Sequence, residues 1–381
     1  MPRRALTPTP RAPASRLGAH APAAGGLAKA ALPHIDGTGA TAVQVYVSNP
    51  RGWALSDGDP AQDEGFLAGC AERDVHSYVH ASLLVNLGSP TPDTVTRSAQ
   101  TLAHALARAR RIGARAVVYH AGSAVDEGYA TTALGQLRTV LLPLLEANAA
   151  AGGPRLLVEP SAGGGRSLAA RVEDLGPYFE AVDWHPGLGV CFDTCHAWAA
   201  GHDLSVAGGM TATLDRLLAT VGPDRLNLVH ANDSKDTCGS LRDRHETIGA
   251  GTLGERAFAE LLAHPITHGV PVIVETPTTG TAGHAADIAT LTRLAGPPHT
   301  GTRPTRTAGT GTPRGTKAVG TKALGTKAAG TQAAGTHGVA APPAGRRASR
   351  STGAGAARPD RTREGSHGPD GVARSATLGK P

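Results

Sequence analysis

Eight short apolar runs recur along residues 16–275 of this chain, and seven of them end on, or directly before, an ionisable side chain. The runs lie at 16–20, 42–47, 75–79, 115–119, 155–159, 188–192, 226–230 and 271–275. Only the second run, which Asn49 follows, lacks such an ending. The ionisable residues at the other seven are His20, His80, His120, Glu159, Asp193, His230 and Glu275. Ionisable groups at the ends of buried strands are costly unless something pairs with them, so this pattern indicates a site.

Segments with apolar residues at helical spacing lie between these runs, at 94–112, 131–150, 168–182, 213–221, 255–263 and 285–294. Strand and helix therefore alternate, which is typical of a parallel sheet with crossover helices. Eight repeats favour closure of the sheet. The predicted fold is an α/β (β/α)8 TIM barrel, in which functional groups gather at the C-terminal ends of the strands.

The two ends of the chain differ in composition from its middle. We expect a disordered basic arm at 1–15, a barrel domain at 16–296 and a low-complexity, disordered basic tail at 297–381, because the ends have too few large apolar residues to offset the entropy of ordering. The arm carries a net charge of +3 and the tail +11, which leaves −8 on the middle of a chain whose total is +6. Such basic segments either contact nucleic-acid backbone or only aid solubility.

The cysteines and the hydropathy of the chain bear on its compartment. The four cysteines form no CxxC pair, the N-terminus has no apolar signal-peptide region, and no stretch approaches 18 apolar residues. We therefore expect a reduced, cytoplasmic protein that does not contact a membrane. No oligomer interface is legible in the sequence, so we expect a monomer.

Nine ionisable groups are the candidate metal ligands: His80, His120, Glu159, Asp193, His196, His230, Asp243, His245 and Glu275. Four carboxylates buried together would repel one another unless cations bind them. Imidazole and carboxylate without thiolate suit zinc, manganese or iron. At roughly three or four ligands per ion, nine ligands support two or three metals.

Several motifs carry a resemblance to the endonuclease IV family of apurinic/apyrimidinic endonucleases. They are GAHAPAAGGL at 18–27, EPSAG at 159–163, GVCFDTCH at 189–196, HANDSK at 230–235 followed by Gly239 and DRH at 243–245, and VET at 274–276. The resemblance extends from about Arg16 to Leu294.

The resemblance implies a TIM barrel that holds three zinc ions, with manganese able to take some of the positions. His80 and His120 would bind the first ion, and Glu159 would bridge the first and second. The rest of the second set would be Asp193, His230 and Glu275, and the third set would be His196, Asp243 and His245.

The resemblance also implies the reaction. A metal-bridging hydroxide, with Glu159 as the catalytic residue, would cut double-stranded DNA 5′ to an abasic site in base-excision repair. The products would be a 3′-hydroxyl and a 5′-deoxyribose phosphate, and DNA binding would keep the protein at the nucleoid.

Four residues are candidate DNA contacts: His20, Asn49, Arg51 and Leu83. Asn49 and Arg51 lie in a stretch, NPRGW at 49–53, that matches a DNA-contact loop of the family. Arg51 would reach phosphate or enter the gap left by the missing base; the alternative is a surface arginine beside a packed tryptophan. His20 would contact phosphate or be structural.

The chain departs from the family pattern at three places. Leu83 stands where many relatives have an aromatic wedge, Pro22 replaces a small polar residue, and Pro160-Ser161 follow Glu159 where polar residues are frequent. Leucine can still fill a stacking gap, as apolar wedges do. These departures concern DNA affinity and leave the nine ligands intact.

Two other functions would account for part of the sequence. A single-metal sugar isomerase or epimerase of the same barrel superfamily needs only about four ligands, which leaves His196, Asp243 and His245 unexplained. A non-enzymatic DNA-architectural protein would not require nine intact ligands.

Overall fold

The fold is described from a computed structural model, which covers residues 15–277 and 280–296. The predictions for the N-terminal arm and the C-terminal tail fall, apart from Ser15, outside these residues and stay predictions. Within the described ranges, no helix is long and apolar enough to cross a membrane.

Eight parallel strands close into a barrel. The ten strands of the described chain are β1 Leu17–His20, β2 Ala42–Tyr46, β3 His76–His80, β4 Ala116–His120, β5 Arg155–Glu159, β6 Leu188–Asp193, β7 Leu226–His230, β8 Asp233–Ser234, β9 His245–Glu246 and β10 Val272–Val274. The barrel order is β1-β10-β7-β6-β5-β4-β3-β2, and β8 pairs with β9 as a separate antiparallel hairpin. All eight predicted strands are present to within two residues at either end, and the predicted TIM barrel is confirmed.

Nine α-helices accompany the strands within the described residues. They are α1 Leu27–Thr38, α2 Pro60–Glu72, α3 Pro92–Arg111, α4 Ala130–Ala150, α5 Leu175–Ala181, α6 Thr194–Ala199, α7 Gly209–Val221, α8 Glu255–Ala263 and α9 Thr281–Leu294. The sequence patterns left α1, α2 and α6 unpredicted.

The helix predicted over 168–182 is wrong in its first half. The Asp174 carboxylate accepts hydrogen bonds from the backbone N–H groups of Ala170 and Arg171 at 3.0 and 2.8 Å. The preceding segment pairs instead with neighbouring loops, because the Ser161 N–H donates to the Ala169 carbonyl at 2.9 Å. The chain therefore turns helical only after these contacts are made.

An apolar layer fills the barrel below its C-terminal mouth. It consists of Ala42, Tyr78, Ala116, Val118, Leu157, Cys191, Leu228 and Ile273, and all are buried. Successive side chains of a strand point to opposite faces, so the residue two positions further along points inward again. Along β5, for example, Leu157 belongs to the apolar layer and Glu159 is the next inward residue.

On seven strands the same step from the apolar layer leads to a polar layer at the mouth, and on β1 the step starts from Gly18. Its members are His20, Gln44, His80, His120, Glu159, Asp193, His230 and Glu275. This alternation is the physical reason that six of the nine predicted ligands, although scattered over the sequence, meet at one end of the barrel, whereas His196, Asp243 and His245 lie beyond the barrel strands.

Candidate metal centre

Glu159 lies at the centre of the polar layer and is fully buried. Its Oε2 is 3.2 Å from His80 Nε2 and 3.6 Å from His120 Nε2. The ligand-type atoms of these three residues lie within 4.8 Å of one another. The structure thus brings together the first predicted ligand set.

The second ligand set shares Glu159 with the first. Its other members, Asp193, His230 and Glu275, also have ligand-type atoms within 4.8 Å of one another and of Glu159. His230 Nδ1 is 3.0 Å from Glu159 Oε1 and 3.3 Å from Glu275 Oε2. The two carboxylate oxygens of Glu159 therefore face the two groups separately.

The third ligand set lies at the solvent edge of the mouth. Asp243 places Oδ2 3.3 Å from His196 Nε2 and Oδ1 2.9 Å from His245 Nε2. Asp193 caps the short helix α6 by accepting from the His196 N–H at 2.8 Å, which turns both side chains toward the mouth. The Asp243 side chain is 47% exposed, so an incoming ligand can reach this group.

Backbone carbonyls orient three of the five histidines. The Nδ1–H groups of His80, His196 and His245 donate to the carbonyls of Ala81, Pro160 and Glu275 at 2.8, 3.0 and 3.2 Å. Each bond leaves Nε2 facing the carboxylates. Metal-binding histidines are usually held in this way, because the partner of one ring nitrogen fixes the tautomer and the direction of the other.

The charges of the cluster call for a cation. Burial opposes protonation of His196, but Asp193, Asp243 and Glu159 raise its pKa well above the usual range. Likewise, despite burial, Asp243 and Asp193 raise the pKa of His245 to about 9. Carboxylates that draw protons onto buried imidazoles will also attract a metal cation, which competes with the protons.

The donor set fits zinc. Among the described residues, the buried His245 Nε2 has no hydrogen-bond partner, although Asp243 Oδ1 lies 2.9 Å away. Close approach without hydrogen-bond geometry is expected of two ligands that share one ion. Nitrogen and oxygen donors in sets of three or four are those that zinc uses.

Two thiols also lie within reach of the cluster. Cys191 is grouped with Glu159 and His230, and Cys195 with Asp193 and His245. Burial raises the pKa of each thiol to about 12. Burial thus favours the neutral thiol over the thiolate that binds metal, and Cys191 belongs to the apolar layer, so the nitrogen and oxygen donors are the preferred set.

Sequence reasoning missed two residues that hold the ligands in place. Gln44 Oε1 accepts from His230 Nε2 at 2.9 Å, while its Nε2 donates to Glu275 Oε1 at 2.6 Å. Asn232 donates to Asp193 Oδ2 at 2.7 Å and accepts from the Glu275 N–H at 2.8 Å. Gln44 had a visible signal, because it is the single polar residue in the one apolar run that lacks an ionisable ending.

Replacing Gln44 by leucine is expected to weaken metal binding by about 10- to 100-fold, because His230 and Glu275 lose the amide that orients them. Competition with a chromophoric chelator measures the affinity. The matched control is Gln62→Leu, which removes an amide from α2 outside the polar layer. Equal affinities for the two variants would contradict this role of Gln44.

The predicted DNA contacts occupy the same face of the barrel. His20 belongs to the polar layer, with Nδ1 3.3 Å from Glu275 Oε1. Arg51 is exposed, and its N–H donates to Asn49 Oδ1 at 2.9 Å. Leu83 is 39% exposed, and its N–H donates to the Pro50 carbonyl at 2.9 Å, so the loops after β2 and β3 touch.

Comparisons with known proteins identify the family to which this barrel belongs. A family model described as a xylose isomerase-like TIM barrel matches residues 35–294. The probable endonuclease 4 of Streptomyces avermitilis is 52% identical over 286 residues, which cover 75% of this chain and 92% of that protein. The chain belongs to the endonuclease 4 family. The corresponding protein of Streptomyces coelicolor is 53% identical over 282 residues, with 74% and 96% covered.

The solved structures agree with the family assignment. Endonuclease IV from Thermus thermophilus matches with a TM-score of 0.64 and 33% identity, over 73% of this chain and 98% of that one. A D-tagatose 3-epimerase-like protein matches with a TM-score of 0.55 at 16% identity, which shows the shared barrel fold alone. The resemblance inferred from the motifs is confirmed, as is the prediction of a metal-dependent endodeoxyribonuclease.

Proposed function

We propose that this member of the endonuclease 4 family is a zinc-dependent apurinic/apyrimidinic endonuclease of base-excision repair. It would hydrolyse the phosphodiester 5′ to an abasic site in double-stranded DNA and leave a 3′-hydroxyl and a 5′-deoxyribose phosphate. The observation that carries the proposal is the set of three ligand groups at one barrel mouth, two of which share Glu159.

The residues present would hold three ions. His80, His120 and Glu159 form the first group. Glu159, Asp193, His230 and Glu275 form the second, and His196, Asp243 and His245 the third. Zinc suits all three, and manganese suits the second, which is rich in carboxylates. Bound divalent ions supply acidified water and neutralise charge that develops on a phosphodiester.

The side chains of this chain contribute position and exclusion of water. Glu159 is buried, yet His230, His196 and His80 hold its pKa well below the usual range, so it stays ionised between the first two groups. The apolar layer seals the floor of the site. The exposed Asp243 opens the third group to solvent, where a phosphate of the DNA backbone can approach.

The DNA-contact roles belong to the same proposal. Asn49, Arg51 and Leu83 lie on two touching loops beside the mouth. His20, a member of the polar layer with Nδ1 3.3 Å from Glu275 Oε1, would meet phosphate next to the ions. Arg51 would contact phosphate or the gap left by the lost base. A monomer acting on chromosomal DNA would work at the nucleoid.

Cleavage of a duplex oligonucleotide with one central abasic analogue tests the proposal. We expect incision only at the lesion, loss of incision after a strong chelator removes the metals, and recovery on addition of zinc. An undamaged duplex of the same sequence is the control. No incision by protein that carries three metals would contradict the proposal and direct attention to sugars and sugar phosphates as substrates.

The basic tail provides a separate prediction. Residues 297–381 contain 14 lysines and arginines against 3 acidic residues. Removal of the tail is expected to weaken binding to duplex DNA mainly at low salt. The logarithm of the binding constant falls as the logarithm of the salt concentration rises, and each lost phosphate contact makes this fall less steep by about 0.9. A tail of equal length with glutamine at these 14 positions separates charge from length. An unchanged slope in both variants would show that the tail does not contact DNA.

A further inference from the structure

The loop that carries the predicted DNA contacts is long and lies beside a cleft. Residues 47–58, called the contact loop below, join β2 to the helix α2 and include Asn49, Arg51 and Trp53. The loop borders a cleft of about 610 Å³ whose other side is the segment after β1. A loop that faces open space on one side needs specific contacts on the other to keep one conformation.

Arg108 supplies such contacts from the helix α3. Its side chain is almost fully buried, with 4% of the residue exposed. Nη1 donates to the carbonyl of Val47 at 3.2 Å and also to the carbonyl of Ser56. One guanidinium therefore joins the start of the contact loop to a point near its end.

Asp63 holds that guanidinium from the helix α2. It is 1% exposed, and its Oδ1 accepts from Arg108 Nη2 at 2.9 Å. Its Oδ2 accepts from Arg111 Nε at 2.8 Å, and Arg111 also donates to the carbonyl of Asp57. Buried ion pairs are often no more stabilising than apolar residues of similar volume, so their use in proteins can lie in specifying one conformation.

The backbone of the contact loop is shaped to receive Arg108. Gly58 has φ +71°, and a Cβ built there would clash with the Arg108 guanidinium at Nη2. A side chain at this position would therefore meet both backbone strain and a clash. The loop and the guanidinium can approach this closely only because the residue is glycine.

The contact loop in turn supports the loop after β3. The Pro50 carbonyl accepts from the N–H of Leu83 at 2.9 Å and from the hydroxyl of Ser82 at 3.0 Å. Both residues closely follow His80, a member of the polar layer. An arginine on the outer layer of the barrel is thus connected to two of the loops that face DNA.

We propose that Arg108, held by Asp63, is a positioning residue that keeps the contact loop in its DNA-binding conformation. The inference rests on the proposed function, because it concerns the same DNA substrate. Arg108 acts through Asn49, Arg51 and, by way of Pro50, Leu83, and does not itself touch the scissile phosphate. Without the Arg108 guanidinium, the contact loop would sample other conformations. The fraction of molecules with the loop in its DNA-binding conformation, the competent fraction, would then fall.

The test uses two variants that disturb the contact between the Arg108 guanidinium and the contact loop. Arg108→Met changes the side of α3, and Gly58→Ala changes the side of the loop. If the competent fraction falls to about a tenth, KM for abasic duplex rises about tenfold, while kcat stays within about twofold. Acrylamide quenching of Trp53 fluorescence should increase in both variants. The chain has three tryptophans, so the Trp53 signal is isolated by subtracting the fluorescence of the same protein with the added change Trp53→Phe. Arg110→Gln, on the exposed face of α3, is the control and should match the wild type.

The outcomes separate the inference from the function on which it rests. Failure of the wild-type protein to incise abasic duplex would overturn the proposed function. Normal incision by the wild type, with KM unchanged in both variants or with kcat reduced instead of KM raised, would overturn the role of Arg108 and leave the function intact. Should Arg108→Met not fold, Gly58→Ala decides the question, because its change lies on an exposed loop.

Discussion

Replacing Glu159 by glutamine is expected to reduce incision at abasic sites by about 10³-fold or more, a loss at least as large as that from removing one catalytic hydrogen-bond donor. The residue belongs to two of the three ligand groups, and its carboxylate lies within 3.6 Å of four histidine nitrogens. A neutral amide keeps the volume but removes the charge that those histidines face. Initial rates on the abasic duplex measure the effect.

The number of metal ions bound per chain provides a second measurement on the Glu159→Gln variant. The third group, His196, Asp243 and His245, does not include Glu159 and should keep its ion. Bound metal is therefore expected to fall from about three ions per chain to about one, with the circular dichroism spectrum unchanged. Glu127→Gln, at a side chain that is 82% exposed, is the matched control. Full metal content together with full activity in Glu159→Gln would contradict the assignment of this residue.

Removing the metals is expected to lower the stability of the barrel as well as its activity. Glu159 and Asp193 are buried and Glu275 is half-buried, all three beside imidazoles, and without cations only protons on those imidazoles balance their charges. For one site with free metal at about 1,000 times Kd, binding contributes about 4 kcal/mol to the free energy of unfolding. We therefore expect a clearly lower Tm by calorimetry after chelation.

Zinc should restore both Tm and incision. A chelator saturated with zinc before use controls for effects of the chelator itself. An identical Tm with and without metal would show that the cluster is stable without cations and would contradict three tightly held ions.

The sequence was a reliable guide wherever one local period governed the structure. Every barrel strand was predicted, because a buried strand is a short apolar run. The polar layer was largely predicted too: side chains alternate with period two, so the residue two positions beyond Leu157 or Leu228 must face inward, and these residues are Glu159 and His230. In a closed parallel barrel, the C-terminal ends of all the strands meet at one mouth.

The apolar period failed where a carboxylate that accepts from nearby backbone N–H groups sets the start of a helix. The helix predicted over 168–182 begins late because Asp174 captures the backbone of Ala170 and Arg171. The helix α6 was unpredicted, since its six residues are too few for a period to show, and Asp193 caps it.

Composition and motif spacing by themselves determined the fold class, the family and the identity of the candidate ligands. Only the tertiary structure decided which nitrogen of each histidine faces the cluster, that Gln44 orients His230 from 186 residues away, and that Arg108 holds the contact loop. The reason is that the alternation of side chains along a strand depends only on residues that are close together in sequence. A hydrogen bond between side chains far apart in sequence exists only after the barrel has closed and brought them together.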